Sequence, residues 1–254
     1  MAIVHFPIKL TARRMIAPSV AHLSFLRDDD QTLPCIPGQF IQIHFHHADG
    51  STAKRSYSIA IGRSPDAAPD AQVDIAVSYV PGGAATALFE ALDIGATLEA
   101  SGPFGRFCLY PNDANQRYLL IGTGTGITPY RAMLPQLEQQ MAQRGVQVVL
   151  LQGARTPAEL LYGDEFRAFA NAHPHFRYIP CLSRELPAAD SPHAHADVRH
   201  GYVQNVLAEL LPNPASDIAY LCGNPDMVDA NFEALKTIGL PIPMIRREKY
   251  VSNK

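Results

Sequence analysis

Two glycine-rich turns have the residue types that bind phosphate groups. Residues 122–126 (G-T-G-T-G) follow a short apolar strand and precede a helix that begins near Thr128 and Pro129, and residues 81–86 (P-G-G-A-A-T) lead into a shorter helix. Glycine permits tight turns, and free amides at a helix start attract anions such as pyrophosphate. The spacing G-T-G-T-G differs from G-x-G-x-x-G, so a standard dehydrogenase is not implied. Two anion sites suggest two nucleotides, although a ligand-free structural turn is the alternative for the first.

Residues 55–58 (R-S-Y-S) lie at a predicted strand in the same half of the chain as the second turn. An arginine can neutralise a phosphate, a tyrosine ring can lie against a flat heteroaromatic group, and a hydroxyl can hydrogen-bond the edge of such a group. Taken alone, this tetrapeptide also fits an ordinary exposed strand.

The elements that must position these residues differ between the two halves of the chain. Up to Leu109, short runs such as residues 40–45 and 73–79 alternate apolar and polar residues, which predicts an antiparallel sheet closed into a small β-barrel, with one helix at residues 84–91. Beyond it, strands and helices alternate, which predicts a doubly wound α/β domain with a parallel sheet. The predicted strands there are 118–121, 146–151, 176–182, 218–221 and 244–245, and the helices are 130–144, 158–170, 202–211 and 225–238.

Composition argues against several classes of protein. The 254 residues are 47% hydrophobic and 18% charged, which suits a folded core, and the net charge of −3 argues against a nucleic-acid-binding protein. The sequence contains no apolar run of membrane-spanning length and no signal-peptide pattern, so we expect a cytoplasmic protein. The four cysteines have none of the spacings typical of zinc sites, C-x-x-C redox motifs or iron–sulfur clusters.

Six motifs occur in one order across nearly the whole chain: residues 55–58, 82–86, 102–105 (G-P-F-G), 122–129, 222–227 (C-G-N-P-D-M) and 248–250 (E-K-Y). Together they resemble the ferredoxin–NADP reductase family. The resemblance implies an FAD-binding β-barrel domain at residues 1–113 and an NADP-binding α/β domain at residues 114–254. It also implies an enzyme that passes hydride between NADPH and FAD and exchanges single electrons with a small acidic carrier, ferredoxin or flavodoxin. We expect a monomer without a metal site.

The resemblance implies roles for residues of the first half. Arg55 would pair with the flavin diphosphate, Tyr57 would stack on the isoalloxazine, and Ser58 would lie near flavin N5, with Ser56 in the same flavin-binding strand. The FAD phosphates would be held by Thr86, where the family more often has serine, and by the turn before it, which comprises Gly82, Gly83, Ala84 and Ala85.

The resemblance also implies roles in the second half. The nicotinamide nucleotide would contact Gly122, Thr123, Gly124, Gly126, Gly223, Asn224, Pro225 and Met227. Cys222 would approach the nicotinamide, Glu248 would be its polar neighbour, and Tyr250 would cover the second flavin face. Because Tyr250 and the nicotinamide would compete for that face, the tyrosine must move during turnover. Residues 251–254 follow this tyrosine, whereas plant-type members end at the aromatic residue, so Tyr250 could instead reach the adenine of FAD. The expected catalytic residues are Ser58, Cys222, Glu248 and Tyr250.

A pair of residues after the strand at 176–182 predicts NADPH rather than NADH. Ser183 and Arg184 resemble the family's clamp for the 2′-phosphate, and Arg155 could add a second cation. A site for NAD more often offers a carboxylate to the ribose hydroxyl. The alternative is that Arg184 pairs with Glu185 or with another surface carboxylate.

Other interpretations carry less support from the residues. His44, His46 and His47 include an i, i+2 pair on one strand face, which we interpret as a solvated outer face rather than a metal site. An oxygenase-reductase component that uses NADH is an alternative function, although such proteins often carry an iron–sulfur domain and no cysteine set here could hold one. A non-enzymatic flavoprotein sensor is a third, against which the presence of Cys222, Glu248 and Tyr250 argues.

Overall fold

The computed structural model describes residues 3–47, 49–62, 68, 70–110, 113–191 and 195–250, so the tail at 251–254 lies outside the described residues. These residues divide into two compact units. The first contains the chain up to Leu109 together with Thr128–Pro135, and the second contains Tyr110–Ile127 and the chain from Gln136 onward. The boundary at 113/114 stays a prediction. In the described part of the chain, no helix is long and apolar enough to cross a membrane.

The first unit is built on the antiparallel sheet that the alternating pattern predicts. Its strands pair in the order β4-β3-β6-β1-β2-β5. One isolated bridge, between Ile59 and Ile75, joins the two ends of this order, so the described strands form a barrel-like sheet that is not fully closed. The strands are β1 (His5–Ala17), β2 (Val20–Arg27), β3 (Phe40–His46), β4 (Thr52–Ser58), β5 (Gln72–Ser78) and β6 (Thr97–Phe104), and helix α1 (Ala84–Ala91) lies between β5 and β6 in the chain.

Alternation along each strand decides which side chains form the core of the first unit. In β3, Ile41 and Ile43 are fully buried, whereas Gln42 and His44 between them point to the other face. Phe89 of α1 is also fully buried and belongs to the same core. The apolar face of the sheet therefore holds α1, and with it the second glycine-rich turn, against the strands.

The second unit has a six-stranded parallel sheet in the order β10-β9-β8-β7-β11-β12. Its strands are β7 (Arg117–Thr123), β8 (Gln147–Ala154), β9 (Phe176–Leu182), β10 (Arg199–His200), β11 (Asp217–Gly223) and β12 (Ile245–Lys249). From β7 the successive strands β8, β9 and β10 are added on one side of the sheet. The chain then returns, and β11 and β12 are added on the other side of β7. The strand order thus reverses between β7 and β11, which is the switch point where open α/β sheets bind ligands beyond the carboxyl ends of their strands.

Helices connect these strands, as the alternation predicts, but several elements differ in extent from the prediction, and the predicted helix at 202–211 is α-helical only up to Leu207. The helices are α2 (Thr128–Arg144), α3 (Gly163–Ala172), α4 (Val203–Leu207) and α5 (Pro225–Ile238). Helix α3 begins five residues later than the predicted 158, because Pro157–Glu159 form a short 3-10 turn and Tyr162 takes a left-handed conformation with φ +56°. Strand β12 continues through Lys249 rather than ending at residue 245, since it pairs along β11.

Candidate functional site

The loops after β7 and β11 touch backbone to backbone at the switch point. Gly122 and Cys222 are register partners in the two strands. A Cβ atom on Gly126 would lie 2.3 Å from the carbonyl oxygen of Cys222, and one on Gly223, where φ is +126°, would lie 2.5 Å from the carbonyl oxygen of Thr123. Both distances are far below van der Waals contact, so only glycine fits at these two positions.

Polar contacts fix the geometry of these loops. The amide of Asn224 donates to Oγ1 of Thr123 at 3.1 Å. The side-chain oxygen of Asn224 accepts from the amides of Asp226 (2.9 Å) and Met227 (3.2 Å), which caps the start of α5, with Pro225 in its first turn. No side chain caps the start of α2 in this way. Residues 124–127 form a short 3-10 turn that leads directly into α2, and Gly124 at its start is exposed with open space around it, so the first amides of this turn suit a phosphate group.

Three predicted catalytic residues meet beside this loop. Strand β12 places Glu248 directly opposite Cys222, and the amide of Tyr250 donates to the carbonyl oxygen of Gly223 at 2.8 Å. Burial and the neighbouring Glu248 raise the pKa of the Cys222 thiol well above its usual value, while a hydrogen bond with Tyr250 acts in the opposite direction. The thiol is therefore neutral at physiological pH and presents a small, weakly polar group.

Glu248 is a half-buried carboxyl group whose protonation changes near neutral pH. Desolvation by burial raises its pKa to about 7, because burial removes water that would stabilise the charged form. Near pH 7 the group exists in both forms, and the protonated form can donate a hydrogen bond as well as accept one. The carboxyl can therefore hold or release a proton beside a bound ligand.

The residues predicted to recognise a 2′-phosphate lie together where β8 and β9 end. The amide of Ser183 donates to the carbonyl oxygen of Ala154 at 3.0 Å, and that of Arg184 donates to the carbonyl oxygen of Arg155 at 2.9 Å. Arg184 is exposed, and among the described residues no carboxylate forms an ion pair with it, so the predicted alternative, a pair with Glu185, is not formed. Its guanidinium is available to an anionic ligand.

Arg155 has a partner that the sequence analysis did not consider. Its guanidinium Nε donates to Oε2 of Glu159 at 3.0 Å, and its amide donates to the same oxygen at 3.0 Å. Partial burial acts to raise the pKa of Glu159, but the hydrogen bonds from Arg155 and the charges of Arg155 and Arg184 outweigh it and lower that pKa. Glu159 is thus ionised and neutralises part of the positive charge predicted to bind phosphate. The i, i+4 spacing of the two residues was the available signal.

In the first unit, Tyr57 brings the R-S-Y-S strand to the second glycine-rich turn. Its ring packs edge-on against Phe89 of α1, with centroids 5.5 Å apart and planes at 82°. Burial raises the pKa of the Tyr57 phenol, so it stays protonated. Alternation in β4 places Arg55 and Tyr57 on one face, and Ser56 and Ser58 on the other. Ser58 is buried, whereas Ser56 is exposed.

The donors in this region suit a diphosphate. The one hydrogen bond described for the Arg55 side chain goes to the carbonyl oxygen of Lys54 at 2.9 Å, and no described carboxylate pairs with it. Gly82, with φ +74°, turns the chain into α1, whose start has no side-chain cap, so the amides of Ala84 and Ala85 face no capping group. Thr86 accepts a hydrogen bond from the amide of Val80 at 2.8 Å and keeps its own hydroxyl proton to donate. A cation, helix-start amides and an aromatic ring together fit FAD.

Two family models match successive parts of the chain. Residues 7–109 match the family model for the oxidoreductase FAD-binding domain, and residues 120–232 match that for the oxidoreductase NAD-binding domain. Ferredoxin–NADP reductase B of Sorangium cellulosum is 34% identical over 96% of this chain and 97% of that protein. The reductase subunit of an Amycolatopsis aromatic O-demethylase is 34% identical over 84% of this chain, which spans only 60% of that subunit.

Solved structures agree with the fold. The crystal structure of the Amycolatopsis cytochrome P450 reductase GcoB superposes with a TM-score of 0.81 at 30% identity, covering 97% of this chain and 70% of that one. A ferredoxin NADP+ reductase from Neisseria gonorrhoeae superposes with a TM-score of 0.76 at 22% identity, over 96% and 98% of the two chains.

The raised pKa of Glu248 makes a prediction about stability. Because the folded-state pKa (about 7) exceeds the ordinary 4.5, the folded protein holds a proton that the unfolded chain releases, and stability falls as pH rises through this window. Between pH 5 and pH 8, the free energy of unfolding of wild type should therefore fall by about 2 kcal/mol relative to that of Glu248→Gln, which has no proton to lose. Urea unfolding of the flavin-loaded proteins at both pH values measures this difference. Glu185→Gln, at an exposed position, is the control, and an equal response of the two variants would contradict the assignment.

Proposed function

The chain belongs to the ferredoxin–NADP reductase family of flavin oxidoreductases, and from that premise we propose that it takes electrons from NADPH and delivers them singly to a ferredoxin or a flavodoxin. The grouping of Cys222, Glu248 and Tyr250 beside the glycine loop at the switch point is the observation that carries the proposal. The family itself establishes an enzyme with an FAD-binding and an NAD(P)-binding domain.

The residues of this chain bind and orient rather than attack. FAD, when bound, supplies the capacity to accept two electrons as hydride and to release them one at a time, so no side chain has to act as a nucleophile. In our proposal Arg55, the amides at the start of α1 and the Thr86 hydroxyl hold its phosphates, and Tyr57 supports its ring. Ser58 lies on the opposite strand face from Tyr57, and its predicted position near flavin N5 stays a proposal.

The second unit supplies the nicotinamide site in this proposal. The loop of residues 122–126, with the exposed amides at the start of its 3-10 turn, binds the pyrophosphate. Cys222, neutral and buried, gives the nicotinamide a small weakly polar neighbour, and Glu248 hydrogen-bonds to it in either protonation state. A hydrogen bond with Cys222 ties Tyr250 to the same site, and its expected role over the flavin stays a prediction.

Two relatives support two different electron acceptors. The Sorangium reductase is matched along 97% of its length, which favours a ferredoxin-type carrier. The O-demethylase subunit is equally identical but is matched along 60% of its length, and it favours the alternative, a reductase component of an oxygenase system. We keep the carrier as the first proposal because the match covers nearly the whole of both chains.

The central test is rapid mixing of the flavin-loaded protein with NADPH in the absence of oxygen. We expect the visible absorbance of the flavin to bleach within seconds, and a ferredoxin or flavodoxin of the host to restore it at a saturable rate. That rate should fall as salt concentration rises, because charge-steered docking is screened. A protein that does not bleach would be a sensor rather than a reductase. Turnover with an oxygenase component alone would support the alternative.

Nucleotide preference depends on Ser183 and Arg184 in this proposal. Two hydrogen bonds to a charged phosphate contribute about 1.5–3 kcal/mol each, which corresponds to roughly two to four powers of ten in favour of NADPH. Ser183→Asp combined with Arg184→Ala should abolish the preference, measured as the ratio of kcat/KM for NADPH and NADH. Arg155→Ala is the matched control, since Glu159 already pairs with that arginine, and it should change the ratio much less. An unchanged ratio in the double variant would refute the assignment.

A further inference from the structure

Side chains from three neighbouring strands converge on the outer face of the sheet in the first unit. Strand β6 lies between β3 and β1, and its residues Glu99 and Ser101 pair in register with His44 of β3 and His5 of β1. The side-chain contacts join diagonal neighbours rather than these register partners. Nδ1 of His5 lies 2.7 Å from Oε1 of Glu99, and Nε2 of His44 lies 2.8 Å from Oγ of Ser101.

The three groups with ligating atoms are close enough for one ion. The rings of His5 and His44 have centroids 4.9 Å apart, and one ligand atom each from His5, His44 and Glu99 all lie within 4.8 Å of one another. Two donors bonded to the same Zn²⁺ at 2.0–2.1 Å in a tetrahedral site are separated by about 3.4 Å. Small rotations of these side chains, two of which are exposed, close that difference without moving the strands.

The surroundings of His44 resemble those of a ligating histidine. Ser101 is 1% exposed, and its Oγ lies 2.8 Å from Nε2 of His44. When Nε2 donates its proton to this oxygen, Nδ1 is left unprotonated as the ligating atom, which is the usual arrangement of a metal-bound histidine. Burial, and then the nearby His5, lower the pKa of His44, so its imidazole is neutral at pH 7. The charge of Glu99 acts to raise the pKa of His44. Lys54, which pairs in register with His44 on β4, acts to lower that pKa and adds a positive charge near the cluster. The carboxylate of Glu99 offsets part of the repulsion that Lys54 exerts on a cation.

We propose that His5, His44 and Glu99 bind a divalent transition-metal ion of the Zn²⁺, Ni²⁺ or Cu²⁺ class, with water completing its coordination. Two imidazoles select these ions over Mg²⁺ and Ca²⁺, which prefer oxygen ligands. The site is made entirely by the first unit and is independent of the residues assigned to either nucleotide.

The test is Zn²⁺ binding to the full, flavin-loaded chain at pH 7.5, measured by competition with a chromophoric chelator. We expect one site whose affinity falls at least tenfold in His5→Ala and in His44→Ala. His46→Ala, two residues from His44 on the same strand and outside the cluster, is the matched control and should bind like wild type. Retained flavin and far-UV circular dichroism show that each variant folds.

Two further measurements separate the site from incidental surface binding. Acidification to pH 5.5 should weaken Zn²⁺ binding to wild type and to His46→Ala alike, since protonated imidazoles do not ligate. Millimolar Mg²⁺ or Ca²⁺ should not displace the ion. Equal affinities in wild type, His5→Ala and His44→Ala, or effective competition by Mg²⁺, would overturn the proposal.

Discussion

The backbone contact between the loops after β7 and β11 is the constraint on which the nucleotide site depends. Two glycines permit it: Gly126 lies against the carbonyl of Cys222, and Gly223 lies against the carbonyl of Thr123. Any side chain at either position would force the loops apart. The strand order reverses between these two strands, which is where open α/β sheets bind ligands beyond the carboxyl ends of their strands. The two glycines therefore fix the position of the two loops at the ligand-binding edge of the sheet.

Desolvation sets the chemistry of the groups beside that site. Burial keeps the Cys222 thiol neutral and raises the pKa of Glu248 to about 7. The two residues lie opposite each other in adjacent strands. A neutral thiol and a carboxyl group that exchanges its proton near neutrality suit a reaction in which the protein positions a ring and tolerates a change of its charge. Strand pairing, rather than a flexible loop, gives these side chains their fixed separation.

Local patterns in the sequence predicted most elements, and elements defined by distant partners were predicted less well. Period-two alternation located β3, and the strand β9 and helices α1 and α5 have the predicted bounds. Strand β12 was predicted too short because its sequence (I-R-R-E-K) lacks an apolar pattern, and the strand forms by pairing with β11. The start of α3 was wrong because a left-handed residue, Tyr162, delays it, and residue preferences do not encode such a conformation.

The candidate sites follow the same rule. Motif residues such as Arg55 and Cys222 were predicted from their neighbours in the chain, and Glu159 had a detectable i, i+4 signal beside Arg155. The cluster of His5, His44 and Glu99 had none, because its members come from three strands whose register the sequence does not reveal. The sequence analysis considered His44 with His46, its neighbour on the same strand, and rejected a metal site on that basis.

The affinity of the flavin-loaded protein for NADP+ in a Gly126→Ala variant tests the central claim most directly. The account predicts a dissociation constant at least tenfold higher than in wild type, because the added methyl group separates the two loops. Gly145→Ala, at the far end of α2 where φ is +65°, controls for strain at a glycine away from the site and should bind normally. Gly126→Ala protein that keeps its flavin and binds NADP+ like wild type would contradict the account.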